Sequence, residues 1–187
     1  MKSTPLACLA LLALLSAGPL HADWKYSVKP NDLRTATTTA TGTSPAGPIK
    51  ATLNVEYSPG KKGVLTLDFI VAGAEKMKGF GFDDFEGPDA AAAKRKLTTI
   101  SVEKPGGKPL TVQVTVAGWY LDDAFHFAAN EANKNPADIL KLVRTMQAGA
   151  TKVSVTVQDL NDAKKNLHAD FTIEDPAAAL TKLLKDK

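Results

Sequence analysis

The sequence predicts a mainly β protein: an antiparallel β-sandwich or open barrel with two α-helices docked on it. Three observations carry this. Apolar residues recur at every second position through most of the chain, short turns rich in Gly, Pro, Asn and Lys separate these runs, and only two stretches, about 136–148 and 176–185, change to helical spacing. Hairpins followed by isolated helices build one layered domain around one core.

The chain opens on MKSTPLACLALLALLSAGPLHA, with Lys2 near the start, an apolar run from Leu6 to Leu15, a Gly18-Pro19 breaker and a small residue at Ala22. This is the pattern of a secretory signal peptide cleaved after Ala22, too short and wrongly flanked to remain as a membrane span. Cys8 stands at the head of the apolar run, so it leaves with the leader and the mature chain is cysteine-free. A periplasmic or secreted protein without thiols has no disulfides and depends on an ordinary hydrophobic core. Residues 23–187 are long enough to bury one as a single domain. Of the 23 basic residues only Lys2 is lost, against 20 acidic ones, and the small remaining excess lacks the strong basic bias of a nucleic-acid binder. No second apolar segment reaches membrane length, which predicts no transmembrane segment in the mature chain.

Trp24, Tyr26 and Val28 alternate with polar residues and predict a first strand with one buried face. The stretch RTATTTATGTSPAGP, Arg34 to Pro48, is rich in β-branched threonine and reads as an edge strand. Ile49, Ala51, Leu53, Val55 and Tyr57 give the clearest alternation, resumed after Pro59-Gly-Lys-Lys-Gly63 by Leu65, Leu67, Phe69 and Val71, which predicts a hairpin. A second hairpin joins Ile100 and Val102 to Leu110, Val112, Val114 and Val116. A third joins Val153, Val155 and Val157 through Asn161-Asp162 to Leu167, Ala169, Phe171 and Ile173.

Asn135 as N-cap, Pro136 in the first helical position, Asp138 at the positive helix start and Gly149 at the end frame the first helix. Ile139, Leu142, Val143 and Met146 form its apolar stripe. The second helix repeats the grammar with Asp175 as cap, Pro176, and Leu180, Leu183 and Leu184.

GFGFDDFEGPD, Gly79 to Asp89, is the first place to look for chemistry. No register of its acids fits a helix-loop-helix Ca²⁺ loop, because the sixth place holds Pro88 or Asp89 where glycine is needed. Phe80 and Phe82 alternate with glycines as in a strand, Gly87-Pro88-Asp89 reads as a turn, and the acids then lie in water with Phe85 in an exposed turn. Asp122-Asp123 repeats the doublet. If the two segments pair, Asp83, Asp84, Asp122 and Asp123 form the one candidate metal set, the basis of an alternative reading as a cation-dependent hydrolase. His126 lies four residues from Asp122, but in a strand it faces away from Phe125 and Phe127, which predicts exposure; His168 is read as solvent-facing for the same reason. Two distant histidines and no thiol make no zinc site, and no nucleophile elbow or phosphate-binding glycine loop is present. No catalytic residue and no cofactor is therefore assigned.

Lys61 and Lys62, Lys104 and Lys108, and Lys164 and Lys165 occupy three predicted hairpin turns. Sharing one end of the molecule, they would make a positive patch for an anionic envelope polymer; separate, they serve solubility.

From Phe82 onward the order of parts is familiar: Phe82-Asp83-Asp84, the helix NPADILKLVRTMQAG, the strand KVSVTV, a strand ending ADFTI and the closing helix PAAALTKLL. In this order and spacing the chain resembles the invasion-associated locus B family and related exported β-sandwich proteins of Gram-negative bacteria. The resemblance implies an exported β-sandwich that acts by contact at the envelope or host surface, with no catalytic residues to carry across. The leading reading is a non-enzymatic protein that binds an envelope or host protein or an anionic envelope polymer, and because such contacts are made by turns on a rigid scaffold, Phe85 and the lysine turns are the contact candidates. A third reading is an inhibitor of a secreted enzyme that inserts one of these turns into a foreign active site.

Overall fold

The computed structural model describes residues 24–60, 63–131, 136–185 and 187. The leader, the Lys61-Lys62 turn and the Asn135 cap lie outside these residues. The ten strands are β1 (Lys25–Lys29), β2 (Leu33–Ser44), β3 (Gly47–Ser58), β4 (Val64–Ala72), β5 (Thr98–Glu103), β6 (Leu110–Val114), β7 (Ala117–Leu121), β8 (Ala124–Asn130), β9 (Lys152–Gln158) and β10 (Asn166–Thr172), with helices α1 (Pro136–Gln147) and α2 (Pro176–Leu183).

All strand pairs are antiparallel, in the order β6-β5-β9-β10-β2-β3-β4-β8-β7, with β1 added to the first half of β2. The sheet curls into a half-barrel, the open barrel of the two predicted architectures. Its curl is visible in the core: two strands separate β4 from β10, yet the Phe69 and Phe171 rings lie 6.3 Å apart. The apolar face is therefore the inside. The two outermost strands, β6 and β7, are joined by Thr115 and Val116 alone, so one stretch of chain bonds β5 with its first half and β8 with its second.

The three predicted hairpins form as β3–β4, β5–β6 and β9–β10, and a fourth, β7–β8, carries Asp122-Asp123 in its turn. The threonine-rich strand is not an edge: β2 lies between β3 and the pair β10 and β1, contributed by remote parts of the chain. The expected inner face of β1 is buried only in part: Trp24 joins the core and Tyr26 packs against it, but β1 covers only half of β2 and Val28 is 55 % exposed.

Both helices close one end of the half-barrel. The α1 stripe of Ile139, Leu142, Val143 and Met146 is fully buried, and α2 buries Leu180 and Leu183 beside it. Four such side chains contribute roughly 1.5 to 3 kcal/mol each, which fixes the helix on the sheet. Asp175 does not cap α2 through its side chain; its backbone is left-handed, at φ 42°, and turns the chain out of β10.

The opposite end is stoppered by the Gly79–Asp89 segment. It is not a strand end. Residues Phe82–Phe85 form a single 3₁₀ turn that directs Phe80, Phe82 and Phe85 inward together, onto Phe125 and Phe127. Phe85 is completely buried, stacked on Phe80 at 5.8 Å and edge-on to Phe127 at 5.2 Å, so it is a core residue and not an exposed contact.

Candidate functional site

The inward Phe cluster leaves its carboxylates outside. Asp83 accepts a hydrogen bond from the Tyr120 hydroxyl at 3.2 Å, and Asp84 from the Asn161 amide at 2.8 Å. Burial first, and then the Asp83 charge and hydrogen bond, push the Tyr120 hydroxyl up to about 12. Asp159 anchors the stopper: Oδ2 accepts the Gly81 N–H at 2.8 Å, and Oδ1 accepts those of Asn161 at 2.8 Å and Asp162 at 3.0 Å. Burial raises the Asp159 carboxyl, but these three donors and the Lys165 charge outweigh it and hold the group below its usual range.

Asp122 and Asp123 sit in the β7–β8 turn, where Asp123 lies 4.0 Å from the Lys76 ammonium. Among the described residues no three His, Cys, Asp or Glu side chains are placed to share a metal ion, so the four aspartates do not converge.

The lysine turns separate as well. Glu103 pairs with Lys152 and Thr98 with Val157, so the β5–β6 turn, with Lys104 and Lys108, lies at the helix-capped end, while the β9–β10 turn, with Lys164 and Lys165, lies at the stoppered end. Lys61 and Lys62 lie outside the described residues.

The outer face carries the chemistry that the linear sequence hides. His126 does face away from the phenylalanines, but it is covered rather than exposed. Its Nδ1 lies 2.8 Å from Asp68 Oδ2, its side chain is 13 % exposed, and Trp119 stacks on it at 5.2 Å and 14°. Asp68 is buried, and its Oδ1 has no hydrogen-bond partner. The partner of His126 is thus a residue 58 positions away, not Asp122. Among the described residues no hydroxyl or thiol bonds to His126.

On the other half of this face His168 is 38 % exposed, as expected, but tied: Nδ1 is 2.8 Å from Thr156 Oγ1 and Nε2 is 3.2 Å from Asp170. Asp170 also accepts from Ser154 at 2.6 Å and pairs with Lys152 at 3.3 Å. Burial raises its carboxyl, and these partners more than reverse the effect and lower it. Burial likewise lowers Lys152, but Asp170 and Glu103 together raise it.

Beside Asp170 the sheet opens. Strand β10 pairs with β2 only at Thr43 and Gly42, and β1 only from Thr37 back to Leu33. Close approach at Gly42 depends on the missing side chain, since a Cβ there would lie 2.3 Å from the His168 carbonyl oxygen. Between these two contacts β2 has no strand partner on this side, and a groove of 710 Å³ enters, lined by Thr39, Thr41, Lys50, Thr52, Asp170 and Thr172 among others, with Ile70 supplying apolar surface. Among the described residues the Thr39, Thr41, Thr52 and Thr172 hydroxyls and the Lys50 ammonium have no side-chain partner. Sequence reasoning missed these residues. The alternating threonines of TATTTATGT and the glycine within them were the available signal.

Comparison with family models, curated proteins and solved structures gave no match.

Proposed function

We propose that this chain is an exported, non-enzymatic binding protein that holds a hydroxyl-rich or anionic component of the bacterial envelope in the groove between β2 and β10. The leader pattern supports export to the periplasm or beyond, with a mature N-terminus at Asp23. The observation that carries the reading is the groove itself: hydroxyls and one ammonium without side-chain partners converge, beside the Asp170 carboxylate already held by Ser154, Lys152 and His168, on a cleft of the size that takes small ligands or one segment of a polymer. Such groups are hydrated when the groove is empty and exchange water for ligand hydroxyls at little cost.

The test is calorimetric titration of the mature protein with purified envelope polysaccharide and with solubilised peptidoglycan fragments. Binding to one of them, weakened at least about tenfold by Thr41→Val with Lys50→Gln, supports the reading; each lost hydrogen bond to a charged or polar partner is worth about 0.5–3 kcal/mol. Absence of binding to either polymer, or the same affinity in the double variant, overturns it.

A further inference from the structure

A second surface, distinct from the groove on the outer face, lies at the helix-capped end. Helix α1 spends one side on the core; its other side presents Ala137, Leu140, Lys141, Arg144 and Ala148, and with Lys104 of the β5–β6 turn they line a shallow, open trough of 470 Å³. A further 350 Å³ hollow shares Leu140 and Arg144 and runs on to Gln147 and Leu184, so the trough continues toward α2.

Part of the positive charge of the molecule is neutralised in place. Lys29, Lys76, Lys152, Lys165 and Lys187 each lie within 4.0 Å of a carboxylate. Lys104, Lys141 and Arg144 are exposed and pair with no carboxylate among the described residues. Three unneutralised cations thus surround a floor made of Leu140, Leu184 and alanine methyls. A small inorganic anion answers the cations and wastes the floor; an uncharged apolar ligand answers the floor and gains nothing from the charges. An amphiphile with an anionic head answers both.

We propose that this trough docks the protein on anionic phospholipid, the phosphate held by Lys104, Lys141 and Arg144 and the first acyl carbons lying along Leu140 and Leu184. Of the turn lysines Lys104 lines this trough, and its cationic companions come from α1 and not from the other hairpin turns.

Cosedimentation of the mature protein with vesicles tests this. The wild type binds vesicles of equal parts phosphatidylglycerol and phosphatidylcholine, does not bind phosphatidylcholine alone, and is released by salt, because screening shortens the reach of exposed charges. Each cation near an anionic surface contributes about fivefold, so K104Q/K141Q/R144Q weakens binding on the order of 100-fold. L140N weakens it while leaving the salt dependence unchanged, which separates lipid capture from attraction to charge alone. K164Q/K165Q, at the opposite end, binds as the wild type does. Equal binding to both vesicle types, unchanged binding by the triple variant, or equal loss in K164Q/K165Q overturns the proposal. So does full competition by soluble glycerol phosphate with no effect of L140N, which assigns the trough to a free phosphate ester instead. Circular dichroism of each variant confirms that these exposed substitutions leave the fold intact.

Discussion

Replacing Asp159 by Asn tests how the stopper is held. Asp159 is 7 % exposed, and its two oxygens accept three backbone N–H groups, one from Gly81 at the start of the aromatic turn and two from the β9–β10 turn. An asparagine keeps one acceptor for the Asn161 and Asp162 donors but loses the charge and turns an amide toward Gly81. A hydrogen bond to a charged group is worth about 1.5–3 kcal/mol, and the Gly81 contact is the one that Asn cannot replace, so D159N loses about that much at pH 7. For a chain of this length the same loss lowers the melting temperature by about 3 to 12 °C. The pH dependence is the sharper test. The folded carboxyl lies below its unfolded value, so its contribution is complete above about pH 4 and disappears as pH falls through the folded pKa. Urea unfolding followed by tryptophan fluorescence, from pH 7 down to about 3, then shows wild type and D159N converging toward the acid end. A stability gap that stays constant with pH, or no gap at neutrality, refutes the assignment of Asp159 as an ionised anchor.

Phe85→Ala empties a fully buried site facing Phe80 and Phe127, and costs about 3–5 kcal/mol in urea unfolding; an exposed contact residue would cost almost nothing. His126→Ala strands the buried Asp68 carboxylate and costs about 3–5 kcal/mol, whereas D68L/H126L recovers most of it, so a double-mutant thermal cycle reports strong coupling. Gly118→Ala drives a methyl to 2.2 Å from Phe125 Cε1 and 2.9 Å from the His126 carbonyl oxygen, and destabilises by about 1–3 kcal/mol or more, measured the same way.

Period two made the hairpins legible because each strand has one wet face and one dry face, and the α1 stripe was legible for the matching reason at period 3.6. The Gly79–Asp89 segment misled because Gly-Phe-Gly-Phe imitates strand alternation; a 3₁₀ turn places the three phenylalanines together, and only the aromatic pocket of β8 shows that all of them go inward. The environment of His126 was out of reach for a different reason. Its orientation follows from its own strand, but its cover comes from Asp68 on β4 and Trp119 on β7, and that needs the register of three strands. The outer groove likewise arises from where β1 stops and β10 begins along β2, which no local window of sequence contains.

The run from Leu110 to Leu121 has a mechanical meaning. Sheets fray, and recruit stray strands from other molecules, at their free margins. Here the two margins are successive lengths of a single ribbon, bent at Thr115 and Val116, so loosening one drags on the other across the whole circumference. Along the main strand path neither margin peels without the other, and only β1, held by β2 alone, can leave by itself.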